Sequence, residues 1–471
     1  MSEQRQAILD NAKYLRAVRP IDPVEIQAYV DGHPHPGVIT QTLRAAAFDL
    51  GLRERDDGTF VPAPEGPLAT SLNRVEALPD RYTRVLEDCL VEAFGAGWPD
   101  GASGNRLRER IRQVKASYLD GTAVEYDRRT ALAYAVYHLP DYYAVGQYAL
   151  GPMVPDGLIP SRLRVLDVGA GVGGPGLGLL DLVTEAGGIV EYHAVEPSDG
   201  AREILVELLE EAGPNAHTAV QEGHAETFDP DGAFDLIVFA NVLDELDDPA
   251  SVLRRYRDAL TPDGSILALS PADKRTATGL RRVERAVEDT YTIYAPTVRL
   301  WPDETPGGEC WSFTRESDLA VPPFQRRLDE ACTDPDHESG EFVNVDVQYA
   351  YSILRRDDTR AIEYVPDREH VASMADAPEY VTDRINLVGI KLSPDLRDDP
   401  ANNSVFLVGD GSERTDHFAV LARESVLNED LRTSAYGDLL RFENVLALWN
   451  DDEGAYNLVV EAETVVDRIP T

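Results

Sequence analysis

Short continuous apolar runs recur through the middle of the chain, and segments of helical period separate them. The runs cover 164–168, 191–195, Ala219 with its neighbours, 234–239 and 265–269. Apolar runs without polar alternation are the pattern of parallel strands buried on both faces, with helices as crossovers. A later pair, 343–350 and its continuation through Tyr351 to Leu354, reads as further strand. Residues 161–360 are therefore expected to form an α/β domain with a Rossmann-like sheet.

The flanks have other periods. In residues 1–65, helices are expected at 7–16, 22–30 and 38–50, with Asp22 as a cap and Pro23 at the first helical position. Residues 52–61 read as two strands joined at Asp57-Gly58, a hairpin signal. Three helices and a hairpin point to a winged-helix-like domain; a small helical packing domain is the open alternative. Its third helix carries only Arg44 as a base and is a poor reader of DNA. Residues 66–160 are expected to be helical. The stretch 106–119 holds Arg106, Arg108, Arg110, Arg112 and Lys115, either a surface for phosphates or a solvated face. The stretch 131–150 contains His138-Leu-Pro-Asp-Tyr-Tyr143 just before the first sheet strand. Helices in that place can cover a cofactor, which makes Tyr142 and Tyr143 pocket candidates; core packing is the other reading. Residues 361–381 look like a linker. In 382–471, strand-like runs fall at 385–392, 405–408, 417–421, 439–449 and 456–466, with a helix-like stretch at 424–434. Five strands with a helix between the third and fourth is the order of an OB-like β-barrel. Another small barrel, or a solely structural domain, is the alternative.

A chain of 471 residues exceeds one hydrophobic core and implies two to four domains. Apolar content of 43% suits a soluble globular protein, and no run approaches the roughly 20 apolar residues that span a bilayer. The first residues lack a signal peptide's apolar segment, and Cys89, Cys310 and Cys332 make no disulfide framework, so a cytoplasmic location and no membrane partner are expected. The net charge is −40, yet only four of the 44 basic residues are lysine (Lys13, Lys115, Lys274 and Lys391). Acidic residues are spread along the whole chain. Both features fit adaptation to molar salt, where the Debye length shrinks to about 3 Å. The acidic balance therefore does not exclude an RNA partner, held by arginine forks, stacking and backbone shape.

The candidate chemistry begins in Val165-Leu-Asp-Val-Gly-Ala-Gly-Val-Gly-Gly174. A strand leads straight into a glycine-rich loop that opens a helix, the arrangement that receives an adenosine-containing cofactor. Asp167 can orient the loop or meet an ammonium through water, and Gly169, Ala170, Gly171 and Gly173 bring backbone close to the ligand. Glu196, at the end of the next strand, can accept both ribose hydroxyls. Gly223-His-Ala-Glu-Thr-Phe228 would set Ala225 and Glu226 beside adenine, and Tyr142 is the covering candidate. The strand starting at Phe234 ends in Asn241-Val-Leu-Asp-Glu245. Together these pieces resemble class I S-adenosylmethionine (SAM)-dependent methyltransferases, and they favour SAM over a dinucleotide. Asn241 can hydrogen-bond target or cofactor, and Asp244 or Glu245 can accept a proton; the plainer reading is that both acids cap or solvate the next helix. The loop is not the Asn-Pro-Pro-Tyr type that holds an exocyclic amine, and no Pro-Cys pair supplies a thiolate nucleophile. Methyl transfer needs alignment first and a base only for a protonated nucleophile.

From about 128 to 356 the chain also resembles the Rsm22 family of small-ribosomal-subunit proteins, whose mitochondrial members are methyltransferase-like ribosome assembly factors. The likeness rests on Tyr134-Ala-Val-Tyr-His-Leu-Pro-Asp-Tyr-Tyr-Ala144, the glycine motif, Ala240-Asn-Val-Leu-Asp-Glu-Leu246, and Tyr294-Ala-Pro-Thr-Val with Glu309-Cys-Trp-Ser-Phe313. With the acidic, lysine-poor composition, it is to a haloarchaeal-type member. The resemblance implies attachment to the small ribosomal subunit or its precursor through rRNA. It also implies an iron–sulfur cluster in many members, but this chain has Thr297-Val298 where the family has Cys-Pro. Cys310 and Cys332, even with His337 nearby, cannot supply the usual four thiolates. No cluster and no metal ligands are expected, and Trp311 and Phe313 become core of that segment. Three functions stay open: a SAM-dependent RNA methyltransferase acting on small-subunit rRNA, a non-catalytic assembly factor that keeps the fold, and a small-molecule methyltransferase. In the first, Phe406, Arg414, Phe418, Arg441, Phe442 and Trp449 would stack or meet phosphate, apart from those the barrel turns inward. The oligomeric state is not legible.

Overall fold

The computed structural model describes residues 3–120, 126–296 and 299–470. It divides into two compact units: Met1–Ala240, Asp258–Gly264 and Ser317–Val347 form the first, and Asn241–Arg257, Ser265–Glu316 and Gln348–Thr471 the second.

The first unit begins with helices Glu3–Leu15, Pro23–Ile26 and Pro36–Arg44, closed by a hairpin of β1 (Leu52–Glu54) and β2 (Phe60–Pro62). Ile8, Ala12, Ile26, Ile39, Leu43 and Phe60 meet in one small core. Asp22 caps its helix by accepting from the Val24 amide at 2.8 Å. The expected third helix is two pieces, because Ala46 leaves helical geometry (φ −122°, ψ 3°) before the turn Ala47–Leu50. Arg44, the one base expected there, forks onto Glu54 at 2.5 and 2.7 Å.

Helices Asp80–Phe94, Gly101–Asp120 and Arg128–Tyr148 follow. In the basic stretch on the second, Arg106 is exposed and Arg110 half-buried, while the other three cations are engaged within the unit. Arg108 is buried and donates to the carbonyls of Leu328 and Pro99. Arg112 forks onto Glu341, and Lys115 donates to the Glu341 carbonyl. These cations tie the helix to residues 328–341, so folding consumes much of their donor capacity.

Four parallel strands complete this unit: β3 (Arg162–Val168), β4 (Ile189–Val195), β5 (Ala216–Gln221) and β6 (Phe234–Ala240), in the order β5-β4-β3-β6. Val165 lies level with Tyr192 on one side and Leu236 on the other. Helices Gly174–Glu185 and Asp199–Leu209 are the crossovers.

In the second unit, β7 (Leu260–Pro271, of which residues 265–271 belong here), β8 (Thr292–Ala295) and β9 (Thr314–Arg315) all pair antiparallel with β10 (Gln348–Arg355). The strand expected from 343 therefore starts only at Gln348. The cause lies in the first unit, where the Phe342 and Asn344 amides donate to the side chains of Asp329 and Gln325. Those donors are no longer available to a ladder.

The rest of the second unit is a closed barrel-like sheet of β11 (Arg384–Lys391), β12 (Ser404–Gly409), β13 (His417–Leu421), β14 (Leu439–Asn450), β15 (Ala455–Val460) and β16 (Val465–Arg468). Strand β11 pairs with both β12 and β14, and the ring runs β11-β12-β13-β15-β14 and back to β11. Only the β13–β15 pairing in it is parallel. Helix Glu429–Thr433 lies between β13 and β14, as expected for an OB-like barrel. The last expected run is split, because the Thr464 amide turns back to the Glu461 carbonyl and β16 returns along β14. Among the described residues, no helix is long and apolar enough to cross a membrane.

Candidate functional site

The glycine loop leaves the carboxyl end of β3 with Gly169, Gly171 and Gly173 at φ +73°, +56° and +91°. Side-chain-bearing residues rarely adopt such angles, which is why glycine recurs here. The amides of Gly169 and Ala170 both donate to the Val195 carbonyl, which pins the loop against the end of β4. The Gly171 amide donates to Glu196 Oε2 at 2.9 Å, and the Ser198 amide to Oε1 at 2.8 Å. Glu196 is nearly buried, and burial raises its carboxyl above the ordinary range. A Cβ built on Gly171 would meet nothing within 4 Å.

Asp167, near the end of β3, is 1% exposed. Its Oδ2 accepts from the Tyr192 hydroxyl at 2.5 Å, whereas the buried Oδ1 has no hydrogen-bond partner. Burial pushes this carboxyl up to about 7; the Tyr192 bond pulls it down and the Glu196 charge pushes it up further. A buried acceptor without a donor is costly, so this atom marks where a ligand donor would be satisfied. The open face at Gly171, the bare Asp167 oxygen and the Glu196 carboxylate fit the ammonium and ribose of SAM.

Helix Arg128–Tyr148 passes across the first turns of both crossover helices. A Cβ on Gly174 would sit 2.8 Å from Tyr142 Cβ, and one on Gly200 only 2.4 Å from the Arg128 amide nitrogen. Tyr134, His138 and Tyr142 share one face of this helix and are half-buried. His138 stacks on Tyr142 with ring centroids 5.1 Å apart, and its Nδ1 lies 3.6 Å from Asp141. Burial raises the Asp141 carboxyl, whose Oδ1 is also without a partner. Tyr143, the other pocket candidate, is core: its hydroxyl donates to the buried Asp181 at 2.7 Å. Ala225 is buried and Glu226 exposed on the turn after β5. Sequence reasoning quoted the His138–Asp141 pair but assigned it no role, and it missed Tyr192, whose partner is 25 residues away.

In the second unit, Asn241 has φ +57°, and its amide donates to the Leu269 carbonyl at 3.0 Å. A non-glycine residue in that region is held by its surroundings, and such positions cluster at ligand sites. The Asp244 side chain is 20% exposed and lies 3.6 Å from Arg275. Burial raises the Asp244 carboxyl; Arg275 pulls the other way. Glu245 is exposed and turns back on the Val242 carbonyl. The cap of helix Pro249–Tyr256 is Asp248, so the capping role considered for Asp244 and Glu245 falls to another residue.

Cys310 is buried at φ +54°, packed with Leu300 and Trp301, and burial pushes its thiol up to about 12. Phe313 is buried and Trp311 half-buried, their rings 5.2 Å apart. Thr297 and Val298 lie outside the described residues. Among the described residues, no three His, Cys, Asp or Glu side chains are placed to hold a metal. In the barrel, Phe406 and Phe442 are core. Arg414 and Arg441 pair with Glu304 and Glu443, and Phe418 is half-buried. Trp449 is 42% exposed, edge-on to Tyr456, which stacks on His417.

Residues 166–266 match a family described as a methyltransferase domain. Residues 5–56 and 375–469 match the N-terminal and C-terminal domains of a family described as a domain of unknown function (DUF8157). No curated protein matches the chain. Solved structures similar to it include a SAM-dependent methyltransferase from Aquifex aeolicus (18% identity over 29% of this chain and 76% of that one, TM-score 0.24). Others are a precorrin-6y C5,15-methyltransferase from Geobacter metallireducens (13%, 41% and 78%, 0.26) and a SAM-dependent methyltransferase from Mesorhizobium loti (21%, 26% and 53%, 0.21). The chain thus holds a SAM-dependent methyltransferase domain with a Rossmann-like core. The second unit also holds a closed, OB-like barrel.

Proposed function

We propose that the protein is a SAM-dependent RNA methyltransferase whose substrate is small-subunit rRNA or its precursor. The observation that carries the RNA reading is the barrel: its ring β11-β12-β13-β15-β14 is the strand order of a fold that binds single strands by stacking and backbone contact. Trp449, exposed and backed by Tyr456 and His417, is its stacking platform. The small-subunit assignment rests on the family resemblance of residues 128–356.

Bound SAM supplies an electrophilic methyl on a cationic sulfur. The chain's own part is placement. Asp167 receives the ammonium on its bare oxygen, the glycine loop lets backbone approach, and Glu196 accepts the ribose. The acidic, lysine-poor composition supports a reading in which the protein works at molar salt in the cytoplasm.

The test incubates the full chain in molar potassium chloride with methyl-labelled SAM and small subunits stripped of native methylation. Label in rRNA, lost with Gly169→Arg and weakened by Trp449→Ala, is the expected result. A folded, SAM-binding protein that leaves the rRNA unlabelled overturns the proposal. That outcome would favour an assembly role.

A further inference from the structure

Around Phe48, the first unit gathers cations that its own acids do not neutralise. Phe48 lies in the turn Ala47–Leu50 and packs with Ala63 and Ile189. The turn runs through Gly51 directly into β1, which carries Arg53. The guanidinium of Arg162, the first residue of β3, sits over the Phe48 ring at 4.6 Å, and that of Arg164 at 5.4 Å. The Arg53 guanidinium lies beside Gly187, 3.9 Å from where a Cβ would stand. Gly187 precedes by two residues Ile189, the β4 partner of Arg162. Arg44 and Arg164 are spent on Glu54 and Glu191. Arg53, Arg55 and Arg162 are not: among the described residues, none of their side chains makes a hydrogen bond or a salt bridge. Arg55 and Arg162 meet Asp57 and Asp235 only as charges at a distance. Arg55 and Arg162 are exposed, and Arg53 is half-buried. A chain with 84 acidic residues against 44 basic ones has acids to spare, so three neighbouring cations without one leave room for an outside anion.

We propose that this face is a docking surface for the backbone of the RNA substrate, with Arg53, Arg55 and Arg162 as its phosphate contacts. The inference rests on the proposal that the substrate is RNA. A guanidinium presents a planar fork of N–H donors that matches two phosphate oxygens, and stacking on Phe48 fixes the plane of the Arg162 fork. Such contacts are short-ranged. They persist where a Debye length of about 3 Å screens the net charge of −40. Along an extended chain Arg53 and Arg55 project to one side about 6.6 Å apart, so each can take a different phosphate of one strand. The surface lies at the amino ends of β3 and β4, whereas the glycine loop leaves the carboxyl end of β3, roughly 20 Å further along that strand. It therefore holds the RNA and takes no part in methyl transfer.

The test follows binding of a fluorescein-labelled single-stranded RNA of about 20 nucleotides to the full chain by fluorescence anisotropy, without cofactor, from about 0.5 to 1.5 M potassium chloride. Arg53→Gln, Arg55→Gln and Arg162→Gln should each weaken binding about three- to tenfold and lower the slope of log affinity against log salt by about 0.7. Arg84 donates only to the Asp80 carbonyl of its own helix, so Arg84→Gln removes the same charge elsewhere and should leave RNA affinity within about twofold. The affinity for S-adenosylhomocysteine and the thermal midpoint should stay native in all four variants, which separates a lost contact from a lost fold. Native affinity in the first three variants, an equal loss in Arg84→Gln, or no binding by the native chain at micromolar concentration overturns the inference. Because no methyl transfer is read, binding that depends on these arginines can hold while rRNA stays unlabelled, and labelling can hold while they prove idle.

Discussion

Replacing Tyr192 by phenylalanine removes one oxygen and tests how Asp167 is held. In the native fold, the Tyr192 hydroxyl is the donor to Asp167, and the carboxyl titrates at about 7. A hydrogen bond to a charged group contributes about 1.5–3 kcal/mol. Losing it should raise the carboxyl by roughly 1–2 pH units, at about 1.4 kcal/mol per unit. At pH 7 native Asp167 is about half ionised; in Tyr192→Phe the ionised share drops to between about 1 and 10%. If Asp167 binds the cofactor's ammonium, affinity at pH 7 should fall roughly 5- to 50-fold, with the deficit narrowing as pH rises towards 9. S-adenosylhomocysteine carries the same ammonium, so titration calorimetry with it between pH 6 and 9 reads the effect. The unliganded fold gives a second reading. Asp167 sits above its ordinary 3.8, so its contribution to stability is whole below about pH 4 and is lost as pH rises through about 7. In Tyr192→Phe that loss should continue to higher pH. A deficit that stays constant with pH, or native affinity that does not rise through pH 7, would refute the reasoning.

Three further outcomes are expected. Gly171→Asn keeps a residue that tolerates φ +56° and sends its side chain into open space, so SAM affinity should fall at least about tenfold with the thermal midpoint nearly unchanged; equal affinity in dialysis would count against the loop assignment. His417 is buried, its Nδ1 bonded to the Thr415 carbonyl, and burial pulls it down to about 4. Its folded value lies below the ordinary 6.5, so stability is whole above pH 6.5 and should drop by about 3 kcal/mol as pH falls to about 4; urea melts of the native chain and His417→Gln, which should flatten this window, check it. Arg281 and Glu284 form a buried pair at 2.6 Å. Glu284→Leu should cost about 3–5 kcal/mol, and adding Arg281→Met should restore most of it; a single variant within 1 kcal/mol of native in urea denaturation would rule out the pair as described.

The apolar runs at 164–168, 191–195, 234–239 and 265–269 are all observed as strand, within β3, β4, β6 and β7. The glycines after β3 do have the positive φ their spacing suggested. Two of the departures share one cause, partners distant in sequence. Val343–Val347 has strand-like composition, but side chains 13 and 19 residues earlier take the Phe342 and Asn344 amides. Arg108 and Arg112 look like surface cations, yet each has a partner more than 200 residues further along. The run 456–466 reads as one strand because the turn residues Glu461-Ala-Glu-Thr464 carry no glycine or proline.

The sequence by itself determined the α/β class, the glycine loop, the acidic end of β4 and the strand count on which the OB-like reading rests. These depend on side-chain period and backbone freedom, which act within about ten residues and can be read locally. Tertiary structure decided which polar groups are left for a ligand. It gave Asp167 a Tyr192 partner on one oxygen and none on the other, made Tyr143 core while Tyr142 stayed half-buried, and closed β11 onto β14. Whether a side chain is spent inside the fold or available to a ligand depends on which distant residues arrive beside it, and no local pattern encodes that.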